Sequence, residues 1–527
     1  MANLISLTVL APLLGVLVTL FLPARHRAAA GIIFSFATCA AVGLLGPLVA
    51  GGGSTYHLLG GWEPPLGIRL HLDGLAFLFL ILTALVGLPV GLYAAAAQKM
   101  PDGKGGTSPL FWPLWMFLWA GMNGLYLSHD LFNLYVVMEI IGLAAVALAI
   151  LSGRPAAMVA GLRYLLAALA GSGAFLFGVA LFYGSYATLD LTLLGERVET
   201  SHTTAVAFAL ILVGLWIKAA LFPLHFWLPP AHASADPPVS AILSALVVKT
   251  AFYLMLRLWT GSFASLTTMS AALALGILGG CAAVWGSYQA LRQEHLKKMA
   301  AHSTVGQIGF LFIMLPLITA APAGAAWLAP AWTAGIYQVL AHGFAKAAMF
   351  LSLGVFALAT GHDRRDSMLN MVSRLPMATF AFALAGISLI GLPPSGGFVA
   401  KWMLLKAAFA SGQWWWALIV VWASFLTAGY VFMVLRIAFA PAPVEPSEAA
   451  RPVPKILEVA ALALGIGAIA IGFRAEEIVG LLDIAPANAP AIELVEPPSD
   501  PSGPTDLPNP PDDPPDPPSP PGERSQP

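Results

Sequence analysis

The sequence predicts an all-α polytopic membrane protein with about 14 transmembrane helices, built around two inverted five-helix repeats that each hold a broken helix. Three observations carry this. Long apolar runs recur through a chain that is 58% hydrophobic and 10% charged, whereas a soluble domain carries about 25% charged residues. Basic residues fall in alternate loops. Two apolar runs are too long for a plain crossing and contain helix breakers.

With roughly 20 residues per crossing, the spans are 3–22, 28–50, 75–97, 110–127, 131–151, 163–184, 205–233, 238–258, 268–290, 302–320, 331–359, 376–410, 413–437 and 456–473. The first has no basic stretch before it and is long enough to span, so it reads as a retained helix and not a cleaved signal. Residues 1–109 hold the first three spans, 110–258 the first repeat, 268–437 the second, and 456–473 the last span. The seventh span is interrupted by Pro223 shortly after Lys218, and the twelfth by GLPPSGGF (391–398) just before Lys401. Proline removes a backbone donor and clashes with the preceding turn. At membrane depth such breaks are tolerated where they line a polar cavity. The break is in the fourth helix of each five, and an odd number of helices inverts the second copy, a recurrent transporter architecture.

Arg25 and Arg27, Lys99 and Lys104, Arg154, the Arg292–Lys298 stretch, Arg364 to Arg374, and Arg436, Arg451 and Lys455 follow odd-numbered spans. The opposite loops carry little more than Arg69 and Arg197. The positive-inside rule therefore predicts a multi-pass protein of the cell (inner) membrane with both termini outside the cytoplasm. Residues 485–527 are proline-rich and acidic, and are expected to be disordered with polyproline II character.

Cys39 and Cys281 stand in apolar runs without a CxxC pattern and read as small core residues. No iron–sulfur, haem, metal or disulfide pattern is visible, and Gly51-Gly52-Gly53 lacks the strand–helix context of a nucleotide site. No cofactor, no redox centre and no nucleic-acid partner is expected; the lipid bilayer is.

Charges inside apolar runs are the candidates for chemistry, because a charge near the bilayer centre costs at least a few kcal/mol and is usually functional. Glu139 stands alone in DLFNLYVVMEIIGLAAVALAI and Lys218 lies just before a break. Burial pushes a carboxyl pKa up and an amine pKa down, so the two could steady each other's charges and act as an electrostatic gate for a proton; the alternative is a static ion pair. Lys249, in the middle of span eight, is a second relay candidate or else a snorkelling lysine. His342 and Lys346 are four residues apart, on one helix face; they suit a proton relay or a simple helix contact, and a metal site less well. Lys401 mirrors Lys218 and reads as a site of exchange with one bulk phase, or as an interfacial lysine. Asp73 reads as the cap of span three, and His302, Ser303 and Thr304 as the capped start of span ten. His225, His232 and Asp236 wet a channel or shape a loop.

The stretch KAALFPLHFWLPPAHASADPPVSAILSALVVKTAFYLMLR, with LRQEHLKKMAAHSTVGQIGF, AHGFAKAAMFL and GLPPSGGFVAKWMLL, resembles the proton-translocating, antiporter-like membrane subunits of respiratory complex I, membrane-bound hydrogenases and Mrp-type sodium/proton antiporters. The resemblance covers roughly residues 60–440, and HDLFNLYVVMEI looks most like the D-type component of Mrp antiporters. It implies fourteen helices in two inverted repeats and a hydrated polar axis at mid-membrane. By motif position Glu139 resembles the essential glutamate, Lys218 its partner, Lys249 the central relay, Lys401 the lysine of the second broken helix, and His342 and Lys346 the polar positions between. It further implies other membrane subunits as partners and protons and Na⁺ as transported ions. A redox-complex pump arm and a proton-pathway subunit of an inorganic-carbon uptake complex stand as alternatives. Two positions depart from the pattern. Pro230 replaces the acid of WLPDAH, with Asp236 nearby, and Arg163 stands where relatives commonly carry lysine, which keeps charge but not the ability to deprotonate.

Overall fold

A computed structural model describes residues 2–50, 54–100, 108–322, 324–441 and 452–482. The expected disordered tail, Gly51 to Gly53, Lys104 and Arg451 lie outside the described residues. Among those described, eleven helices are long and apolar enough to cross a membrane. Of the other predicted crossings, 110–127 falls on the 17-residue helix Phe111–Leu127. The seventh and twelfth fall on pairs of shorter helices, His202–Lys218 with Leu228–Ser234 and Pro376–Ile390 with Gly396–Ala410. The fold is that of an all-α multi-pass membrane protein with one small addition. Strands Thr55–Leu58 and Arg69–Leu72 form an antiparallel hairpin in the register Thr55↔Leu72, which hydropathy alone did not reveal.

Burial divides the helices into an inner and an outer set. The apolar windows of Pro237–Thr260, Leu296–Thr319 and Leu328–Thr360 are 100%, 94% and 83% buried, against 33% for Leu4–Phe21 and Trp415–Phe439. The inner three carry Lys249, Ser303, Gln307, His342 and Lys346. A helix buried on every side can keep polar groups only if other helices supply their partners.

Both breaks have a local cause. After Lys218, Ala220 takes a left-handed backbone (φ 52°) and Pro223 follows. The carbonyls this frees are taken by indoles: Trp216 Nε1 donates to Leu221 and Phe222 O at 3.1 and 3.2 Å, and Trp227 Nε1 to Ile217 O at 3.0 Å. In the second break Gly391 ends Pro376–Ile390 at φ 89°, and Ser395 caps Gly396–Ala410 by accepting from Phe398 N. Gly391 is required twice over, because a Cβ there would also lie 2.7 Å from Lys401 Cδ. The helix bearing Lys249 is irregular too: residues Leu243–Val247 form a π-helical turn immediately before it, a feature frequent at functional sites.

Candidate functional site

Glu139, on Leu131–Ile150, and Lys218, the last residue of His202–Lys218, form an ion pair with Nζ to Oε1 at 3.2 Å. Their side chains are 21% and 9% exposed, so the carboxylate sits toward the flank and the amine toward the interior. Ser172 Oγ donates to the same carboxylate oxygen. The ammonium also lies at a helix C-terminus, where the backbone dipole favours a cation. A cavity of about 20 Å³ separates Lys218 from the Lys249 helix and is lined by Lys218, Tyr164, Trp227, Val247 and Thr250. That is room for one water, given the ~10–15 Å³ a water needs.

Lys249 is buried and donates to Ser244 O, in the π turn, at 2.8 Å. Ser244 Oγ bonds Thr304 Oγ1 at 2.8 Å, and Thr304 in turn donates to Ala300 O at 3.0 Å. Lys346, fully buried, donates to that same Ala300 O at 2.7 Å and to Ser303 Oγ. Lys249 and Lys346 therefore meet one knot of polar groups from opposite sides. His342 lies a turn before Lys346, buried, with no hydrogen-bond partner on either ring nitrogen among the described residues. The reading of Ser303 and Thr304 as helix caps is overturned. Leu296–Thr319 begins at Leu296, and both hydroxyls lie inside it.

Beyond Ser303 on the same helix, Gln307 Nε2 donates to Leu389 O at 3.2 Å, and Gln307 Oε1 accepts from Gln338 Nε2 at 2.9 Å. Lys401 Nζ donates to Leu389 O and Ile390 O, both at 2.9 Å, and to Ser424 Oγ at 2.9 Å. Leu389 O and Ile390 O are carbonyls left open by the second break, so the lysine is buried within the chain as the cap of a half-helix. It also lies 4.5 Å from the Phe310 ring centroid. Leu389 O is thus shared between Gln307 and Lys401. Gln307→Leu should remove one bond each from Gln338 and Leu389 O while Gln338 keeps the backbone carbonyl of residue 307 and Leu389 O keeps Lys401, costing about 0.5–1.5 kcal/mol per bond, and should slow transport in vesicles followed by a pH-sensitive dye. An unchanged rate would remove Gln307 from the path.

Other candidates separate from this line. Asp236 pairs with Arg154 at 3.5 Å, and burial raises its carboxyl above the ordinary value while Arg154 opposes the rise. His232 is fully buried and packs 5.8 Å from the Phe350 ring, with both ring nitrogens free of partners among the described residues. Arg163 is exposed on Pro155–Tyr186. Cys39 is half-buried and Cys281 exposed, so the reading of Cys281 as a core residue is corrected. Asp73 does cap its helix, accepting from Ala76 N at 2.8 Å, but it also pairs through both oxygens with Arg257. Sequence reasoning missed Ser172, Ser244, Gln307, Gln338 and Arg257. A lone Ser or Thr in an apolar helix gives no signal, because it can bond its own helix. The two glutamines in apolar spans could have been found by the criterion applied to the lysines.

Comparison with known proteins gives a consistent setting. The model of the family "NADH:quinone oxidoreductase/Mrp antiporter, TM" matches residues 128–427. The chain is 34% identical over 457 residues to the N subunit of NADH-quinone oxidoreductase from Desulforudis audaxviator (strain MP104C), covering 83% of this chain and 88% of that protein. It is 28% identical over 449 residues to the D subunit of the Na(+)/H(+) antiporter from Bacillus subtilis (strain 168), covering 83% and 86%. Its fold superimposes on a chain of the Mrp complex from Dietzia sp. DQ12-45-1b with a TM-score of 0.80 at 27% identity, covering 92% of this chain and 96% of that one.

Proposed function

We propose that this chain, which belongs to the NADH:quinone oxidoreductase/Mrp antiporter transmembrane family, is the D-type subunit of a multisubunit Na⁺/H⁺ antiporter. At the coarser level it is a proton-translocating, antiporter-like subunit of an Mrp- or complex I-type membrane assembly, with other membrane subunits as its partners. In the proposed path a proton enters near Glu139 and Lys218, passes Lys249, then His342 and Lys346, and leaves near Lys401. The observation that carries it is a pair of buried polar clusters on the helix Leu296–Thr319: Ser244, Thr304 and Ala300 tie Lys249 to Lys346, and further along the same helix Gln307 meets Leu389 O, which Lys401 also binds. Separating Glu139 from Lys218 would leave the amine without its counter-charge, and that separation is the gate of the proposed path. Arg163 takes no part, because a guanidinium does not deprotonate.

One observation favours a second reading. The 34% identity to a quinone oxidoreductase component exceeds the 28% to an antiporter component, which suits a pump arm of a redox complex using the same lysines. Copurification from the native membrane in mild detergent separates the two. Small hydrophobic partners, with Na⁺-dependent proton movement in vesicles, are expected. Stoichiometric flavin and iron–sulfur subunits would overturn the antiporter in favour of the pump.

A further inference from the structure

An apolar groove of about 730 Å³ opens on the outer surface between helices Met269–Arg292 and Trp415–Phe439. Leu273, Ile277, Trp285 and Tyr288 line it as one stripe of the first helix, with Trp415 and Phe222 completing the walls. Fifteen residues separate Leu273 from Tyr288, so the groove runs roughly 22 Å along the helix. Ile277, Trp285, Tyr288 and Trp415 are exposed on the outer face of two helices that are long and apolar enough to cross a membrane. The stripe ends in a charge. Arg292, one turn beyond Tyr288, is exposed and holds its guanidinium carbon 5.7 Å from the Tyr288 ring centroid. Lys298, exposed in the first turns of the antiparallel neighbour Leu296–Thr319, stands at the same end.

We propose that this groove binds an anionic phospholipid of the surrounding bilayer, with an acyl chain along the aromatic stripe and the phosphate at Arg292 and Lys298. The order of the lining favours a lipid over a partner's helix, because the apolar stripe from Leu273 ends in Tyr288 and then the exposed Arg292, as an acyl chain ends in a phosphate. Glu294 at the same end is answered by Arg364 at 3.0 Å, so Arg292 and Lys298 favour an anionic headgroup over a zwitterionic one, since basic pockets between membrane helices recognise such headgroups. The bound chain packs against Phe222, four residues past Lys218 in the first helix break, so the site adjoins the proposed gate.

The test uses the full-length chain in its native complex, reconstituted with phosphatidylglycerol or phosphatidylcholine brominated on the acyl chain. Brominated phosphatidylglycerol is expected to quench the part of the tryptophan emission that Trp285→Phe removes, and to do so at lower mole fraction than brominated phosphatidylcholine. Arg292→Gln should reduce that preference about fivefold, and Lys298→Gln by a similar factor. Equal quenching by both lipids would overturn the proposal by making this an ordinary bilayer-facing surface. Absence of Trp285 quenching by either would overturn it too, by putting a neighbouring protein in the groove.

Discussion

Lys218→Ala is expected to reduce proton-coupled transport at least ~100-fold, the lower range of what a positioned acid–base group contributes, while the complex still assembles. The side chain ends a helix, makes one ion pair at 3.2 Å and borders a small cavity, so its loss removes a charge without emptying the core. The break itself survives, held by the Trp216 and Trp227 indoles. Glu139→Ala should fail in the same way, because the amine then loses the carboxylate that steadies its charge. Glu139→Gln separates the causes. It can keep the bond from Ser172, so any loss it suffers is electrostatic. The measurement is dye-reported pH movement in vesicles, with copurified partners as the control for assembly. Full transport by the Lys218 or Glu139 variant would sink the relay.

The second large effect is on stability. Asp73→Ala should leave the Arg257 guanidinium buried without its counter-charge, at a cost of about 3–5 kcal/mol. Asp73 is 1% exposed and also caps Gly74–Gln98, and cap loss alone costs about 1 kcal/mol. Arg257 stands eight residues after Lys249, roughly 12 Å along one helix, and also donates to Tyr253 Oη at 2.6 Å. The pair therefore anchors the helix that carries the central lysine. Burial alone would raise the Asp73 carboxyl, but Arg257 holds it below the ordinary carboxylate range. A carboxyl depressed by folding stabilises above its unfolded value of about 4 and loses that contribution as pH falls from there toward the folded value. Thermal unfolding in mild detergent should show this acid-side decline in the native protein and lose it in Asp73→Asn. A destabilisation by Asp73→Ala no larger than an ordinary cap loss would mean the ion pair contributes nothing.

The membrane fold, the place of both breaks and the lysines within the apolar spans were legible in the linear chain. Hydropathy and proline report on single segments, and a lone lysine in an apolar run is costly wherever the chain goes. Glu139 and Lys218 could be named as a pair for that reason, although they are 79 residues apart. Which groups answer those charges was set by packing. Lys346 finds Ser303 and the Ala300 carbonyl, Lys401 finds the open end of a half-helix, and Asp73 finds Arg257 across 184 residues. Such partners are backbone carbonyls, hydroxyls and one arginine near a helix end, and each is unremarkable on its own segment. They acquire a role only when packing removes water and makes an unpaired polar atom expensive.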